Sequence, residues 1–274
     1  MLARGVLLAI AVVLVAVGCG GNSNRDAVAK YLTLVDSTEN GLAAPLRAVS
    51  TANEGFAKQH ETPKVEAQLQ QAEQTLQSLQ RKLAGITPPP EAKHLHSLLL
   101  ELVGREVGLT HEVYALSVFL PRFDAELQPL AKADRSLKAE LGQSAKGAAA
   151  AKALDADKAR ALTAYVAVVD GVSAQLRLLH PPAVWRPVYE GQLSTLTQLH
   201  TSGTALAQAI AGNRAAAVPA LLRQFDAAAV AGQSVAAQRR QIAAVDAYDR
   251  RVNSLTTLAR QIERERNRLQ RVTS

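Results

Sequence analysis

Six histidines, one cysteine and a scatter of carboxylates are the residues of this 274-residue chain that could carry chemistry. The histidines are His60, His94, His96, His111, His180 and His200. A di-iron bundle takes Glu-x-x-His from each of two helices. Glu91 and His94 give that spacing once. The residues three before His111, His180 and His200 are Gly108, Arg177 and Thr197, so a second copy is missing. Glu91, His94 and His96 follow a proline break and read as an exposed polar helix start. His111-Glu112 is followed by Val113-Tyr114-Ala115, so no His-Glu-x-x-His zinc pair forms. Gly-x-Ser-x-Gly elbows, phosphate loops and dinucleotide fingerprints are absent. No catalytic residue, metal site or cofactor is therefore expected, and the chain reads as non-enzymatic. Glu106 stands on an otherwise apolar helical spacing, and is expected to reach solvent at its edge.

The cysteine has a context. Arg4 precedes an apolar run of fourteen residues, Gly5 to Gly18, which ends at Ala16-Val17-Gly18-Cys19. The run is shorter than the ~20 residues that span a bilayer and fits the apolar core of an export signal. Ala16-Val17-Gly18-Cys19 resembles the lipobox of bacterial lipoproteins, with Ala16 where that family usually has Leu. The resemblance covers residues 1–19 and implies cleavage before Cys19 and acylation of its thiol. The mature chain would then face outside the cytoplasm, held in the cell membrane or outer membrane. Gly20-Gly21-Asn22-Ser23-Asn24 would be a polar tether. With Cys19 consumed, no internal disulfide is possible, and packing alone must hold the fold.

The elements follow from composition and period. Hydrophobic residues make up 48% and aromatics 4%, so alanine and leucine carry the apolar content, which suits helices rather than strands. Val65, Leu69, Ala72, Leu76, Leu79, Leu83 and Ile86 step by four and three, a heptad seam. Thr62-Pro63 opens it and Pro88-Pro89-Pro90 closes it. Leu95, Leu99, Leu102, Glu106, Leu109, Val113, Leu116 and Leu120 repeat the step, with a kink or break expected at Pro121. Leu162, Tyr165, Val169, Val172, Leu176 and Leu179 form a further seam ending at His180-Pro181-Pro182. Leu196, Leu199, Gly203, Leu206 and Ile210 form the next, ending at Gly212-Asn213. One long segment is expected from about Arg214 to Val272, with Val245, Tyr248, Val252, Leu255, Ala259, Ile262, Arg266 and Leu269 on one stripe. The expected fold is all-α: an elongated antiparallel helical bundle with coiled-coil-like packing. LAGITPPP and LRLLHPPA suggest a duplication into two similar three-helix units. The expected division is 1–18 signal, 19–24 lipidated cysteine and tether, 25–141 first unit, 142–153 linker, and 154–274 second unit.

The formal net charge is +7, and removal of Arg4 with the leader would leave +6. Arg239 to Arg271 holds nine arginines against four acids. Arg240 and Arg251, eleven apart, share one helix face; Arg260 and Arg264, one turn apart, share another. These four residues form the expected binding face. Beyond the membrane held through Cys19, the expected partner is an envelope protein or an anionic polymer rather than nucleic acid. The alternative is a small-molecule binder with an apolar pocket between the helical units.

Overall fold

In a computed structural model, residues 23–58, 62–144 and 146–273 are described. The leader, Cys19 and His60 lie outside them. Every regular element among the described residues is helical: α1 (Ser23–Lys58), α2 (Thr62–Ala84), a 3-10 turn (Pro90–Ala92), α3 (Lys93–Leu141), α4 (Ala148–Arg177), α5 (Arg186–Ala211), α6 (Val218–Ala231) and α7 (Val235–Thr273). The all-α bundle stands. None of these helices is long and apolar enough to cross a membrane.

Two sequence expectations about elements change. The segment from Arg214 onward is two helices, because Gly232-Gln233-Ser234 turns the chain between α6 and α7. The expected linker is shorter than 142–153, since its alanine run joins α4 from Ala148. Pro121 and Pro129 sit inside a continuous α3.

Contacts divide the chain into two compact units. Unit 1 takes residues up to Val118 and Asp246–Ser274; unit 2 takes Phe119–Val245. The units are therefore not the two sequence halves. α3 and α7 each contribute to both, and the first boundary falls just before Pro121. Unit 1 has four helical segments rather than three.

Unit 1 is a closed four-helix arrangement whose directions follow from its contacts. Leu79 packs beside Gly41, and Val49 clusters with Leu69, so α1 and α2 are antiparallel. Gln80 abuts Gly104 and Glu73 pairs with His111, so α2 and α3 are antiparallel. Glu112 pairs with Arg251, and Arg268 donates to the carbonyl of Glu91, so α7 runs against α3. Arg266 reaches Asp36 and Glu39, while Tyr248 packs in the cluster of Val49, so α7 also runs against α1. The core is aliphatic: Val28, Val35, Leu42, Leu76, Leu83, Leu95, Leu99, Val103, Leu258, Ile262 and Leu269. The Tyr31 hydroxyl meets Nδ1 of His96 at 3.0 Å across it.

Unit 2 is built on the α4–α5 hairpin. Tyr189 donates its hydroxyl to the carbonyl of Leu176 beside the proline turn, and His200 meets Asp170 further along. Gly203 lets α5 approach closely, because a Cβ there would fall 2.9 Å from Cγ2 of Val166 and 3.3 Å from Phe225. Phe119, Phe123 and Tyr189 form a ring cluster with centroids 5.3–6.4 Å apart.

The α3 seam differs from expectation in one respect. The buried 3–4 series in unit 1 is His96, Leu99, Val103, Glu106, Thr110, Val113 and Ser117. Glu106 is thus inside, not at a solvent edge, because α3 packs between α2 and α7 and is covered on two sides. Burial pushes its carboxyl up to about 7 from 4.5. The folded state therefore favours the protonated acid, and this contribution to stability is lost as pH rises from about 4.5 through about 7. Glu106→Gln should leave stability unchanged near pH 4.5 and exceed wild type at pH 8 by about 3 kcal/mol, since each tenfold change in proton affinity corresponds to about 1.4 kcal/mol. Urea unfolding across that range checks it; a gap that does not widen with pH would contradict the assignment.

Candidate functional site

The candidate site is read from α7, where the arginines concentrate. Its inward stripe carries Leu255, Leu258, Ile262 and Leu269, all buried. Arg266 interrupts that stripe. Its side chain is only 13% exposed, and its forked guanidinium donates to Glu39 at 2.9 Å and to Asp36. Burial raises the Glu39 carboxyl, and the Arg266 charge beside it acts to lower it again. Such a pair matters chiefly when broken, because a buried charge left alone is costly. Arg266 is an internal strut.

A neighbouring arginine is also engaged. Arg268 donates to both oxygens of Glu265 and to the carbonyl of Glu91, whose own carboxylate accepts from Asn24 at 2.6 Å. The hydrogen bonds from Arg268 hold Glu265 below the usual carboxylate range, and the bond from Asn24 does the same for Glu91. These contacts join the start of α1 to the end of α7 within unit 1. Glu91 is thus part of a structural junction, beside the exposed His94. Among the described residues no group of three or more His, Cys, Asp or Glu side chains is arranged to hold a metal.

The four arginines expected to form a binding face separate. Arg240 lies in unit 2, partly buried against α5, where a Cβ on Gly191 would fall 2.7 Å from its Cζ. Arg251 lies in unit 1 and pairs with Glu112, whose side chain is 7% exposed. Both are occupied, and the eleven-residue spacing that puts them on one helix face spans the two units. Arg260 and Arg264 are exposed; Arg264 donates from Nε to the carbonyl of Arg260 in its own helix, at 3.3 Å.

Arg260 and Arg264 belong to a longer series. Arg250, Asn253, Thr257, Arg260, Arg264, Asn267 and Arg271 step by three and four and are all exposed. Thr257, Arg264 and Arg271 each follow a buried residue (Leu255, Ile262 and Leu269) by two positions. Two positions turn a helix by about 200°, so this stripe lies opposite the core. It holds four arginines and no acid. Glu265 is tied to Arg268, Asp249 and Glu263 lie one position off the stripe, and Asp246, exposed one turn before Arg250, marks where the acid-free run begins. The outer face is therefore a continuous row of cationic forks and amides about 32 Å long, at 1.5 Å per residue. Arginine forks suit phosphate and carboxylate oxygens. The sequence points to Arg260 and Arg264, and to Arg250 and Arg271 as members of the same basic cluster; it misses Asn253, Thr257 and Asn267, although the three–four step was available to find them.

A concavity of about 340 Å³ lies inside unit 2, between α4, the end of α5 and the start of α6. Leu206, Ile210, Val218 and Leu222 line it, with Asp155, Lys158 and Arg214. Its one acid stands against its two cations.

No family model matches the chain, and no curated protein or solved structure is significantly similar to it.

The division between strut and stripe predicts opposite outcomes for two charge reversals. Arg251→Glu sets a carboxylate beside the buried Glu112 and should cost about 1–2 kcal/mol of stability, since solvent screens the half-exposed position 251. Arg264→Glu should change stability by less than about 0.5 kcal/mol. Chemical denaturation of both variants decides it; equal effects would contradict the assignment.

Proposed function

We propose that the protein is a membrane-anchored, extracytoplasmic lipoprotein that acts by binding rather than catalysis, with the outer face of α7 as its working surface. The acid-free stripe of Arg250, Arg260, Arg264 and Arg271 is the observation that carries this reading. Four exposed cations on one rigid helix face keep their spacing, so an anionic partner meets a preformed row. The anchor rests on Cys19 and the residues before it. Two or three acyl chains at ~0.8 kcal/mol per buried CH₂ would hold the chain at a membrane.

In cells, a fatty-acid analogue should label the wild-type chain and not Cys19→Ala. A photo-reactive residue placed at Asn267 should give adducts that a control at Gln70, exposed on α2, does not give. Label retained by Cys19→Ala would remove the anchor. Equal adducts from both positions would remove the stripe as the working surface.

A further inference from the structure

We propose that the partner of the α7 stripe is the anionic lipid surface of the membrane that holds Cys19, and that unit 1 lies along this surface on its α7 face. The inference rests on the lipid-anchor reading and deepens it.

Chain length limits how far the tether can reach. From Cys19 to Asn24 is five residue steps, which span at most about 17 Å in any conformation. Asn24 is bonded to Glu91, and Glu91 to Arg268. Residues near the end of α7 are thereby tied to the point where the tether enters the bundle. An acylated Cys19 would keep Arg264 and Arg271 close to lipid headgroups at a high effective concentration.

Charge sets the orientation. Attraction to anionic headgroups is felt only within about 8 Å at physiological salt. If α7 stood upright on the membrane, Arg271 alone would lie within that range, because Arg264 is about 10 Å and Arg250 about 32 Å further along the axis. Lying flat brings all four arginines to the surface. Each cation near an anionic leaflet strengthens binding roughly fivefold, and no acid on the stripe opposes it. Asn253 and Asn267, between the arginines, add amide hydrogen-bond donors for phosphate oxygens.

The test uses the acylated full-length protein, reconstituted into vesicles. The thiol of Cys19 is consumed as a thioether, so Asn253→Cys provides the one site for a polarity-sensitive maleimide dye. Position 253 lies about 27 Å along α7 from Arg271, so its dye meets lipid only if the helix lies flat. With vesicles containing 30 mol % phosphatidylglycerol (roughly the anionic content that gives such surfaces their potential), the emission should shift to the blue. The shift should reverse as salt rises. It should be absent with phosphatidylcholine vesicles. Adding Arg260→Glu and Arg264→Glu should abolish it while the protein still floats with the vesicles. A protein that floats without any shift overturns the docking and leaves the anchor. A shift only from a dye at Asn267→Cys means an upright bundle and overturns the flat arrangement. A shift caused by soluble polyphosphate over phosphatidylcholine vesicles, and not by phosphatidylglycerol, makes the partner a polymer and overturns the proposal. Failure to float, with Cys19 itself taking the dye, overturns the anchor and the docking together.

Discussion

The ion pair between Arg266 and the α1 carboxylates Asp36 and Glu39 is the contact on which unit 1 depends. It joins residues about 230 positions apart, measured from Asp36 to Arg266, and it sits in a stripe that is otherwise leucine and isoleucine. A guanidinium there is tolerable only with carboxylates facing it, because desolvation of an unpaired cation costs several kcal/mol. The pair therefore specifies more than it stabilises. It fixes which face of α7 turns inward and which level of α1 it meets. A slip of α7 by one heptad would keep leucines on the core but strand Arg266 from its partners.

That constraint determines where the remaining arginines point. Once Arg266, Ile262 and Leu269 face the core, Arg264, Arg271 and Thr257 must face away. The same helix then serves two purposes with one residue type. Inside, an arginine closes a bundle; outside, arginines form a row with no acid on its face from Arg250 to Arg271. Arg251 and Arg268 occupy the boundary between those regions and are taken by Glu112, Glu265 and the Glu91 carbonyl. The junction of Asn24, Glu91 and Arg268 links the outer row to the first residues of the bundle. Position along α7 thereby becomes distance from Asn24, near the start of α1.

Much of this was legible in the sequence, and the remainder fails for physical reasons. The α2 seam was readable because Leu69, Leu76 and Leu83 recur at seven and polar residues fill the gaps; all three are almost fully buried. The α7 seam was readable too, down to Arg266 lying on it. α1 carries Val28, Val35, Leu42 and Val49 at intervals of seven, but Glu39, which faces Arg266, breaks its apolar pattern. A lone carboxylate on an apolar seam usually escapes burial, so local pattern puts Glu106 at a solvent edge; packing on both sides of α3 leaves it none. Helix periodicity joins Arg240 and Arg251 because it reports only which residues share a face. The buried Glu112 that claims Arg251 is 139 residues away, and no local pattern reveals it. The boundaries at residues 118 and 245 were hidden for a similar reason: α3 and α7 continue through them without a break in helix.

Arg266 and Glu39 act as a matched pair rather than as two separate polar residues in a tolerant core. A double-mutant cycle on Arg266→Met and Glu39→Leu, followed by urea unfolding, measures this directly. Arg266→Met should destabilise by about 2–4 kcal/mol, because it strands the buried Glu39, and Glu39→Leu by less, because Asp36 still faces Arg266. The double change should be more stable than Arg266→Met alone, with a coupling of at least about 1 kcal/mol. Strictly additive losses would show that the two residues do not depend on one another, and that something other than this pair sets the facing of α7.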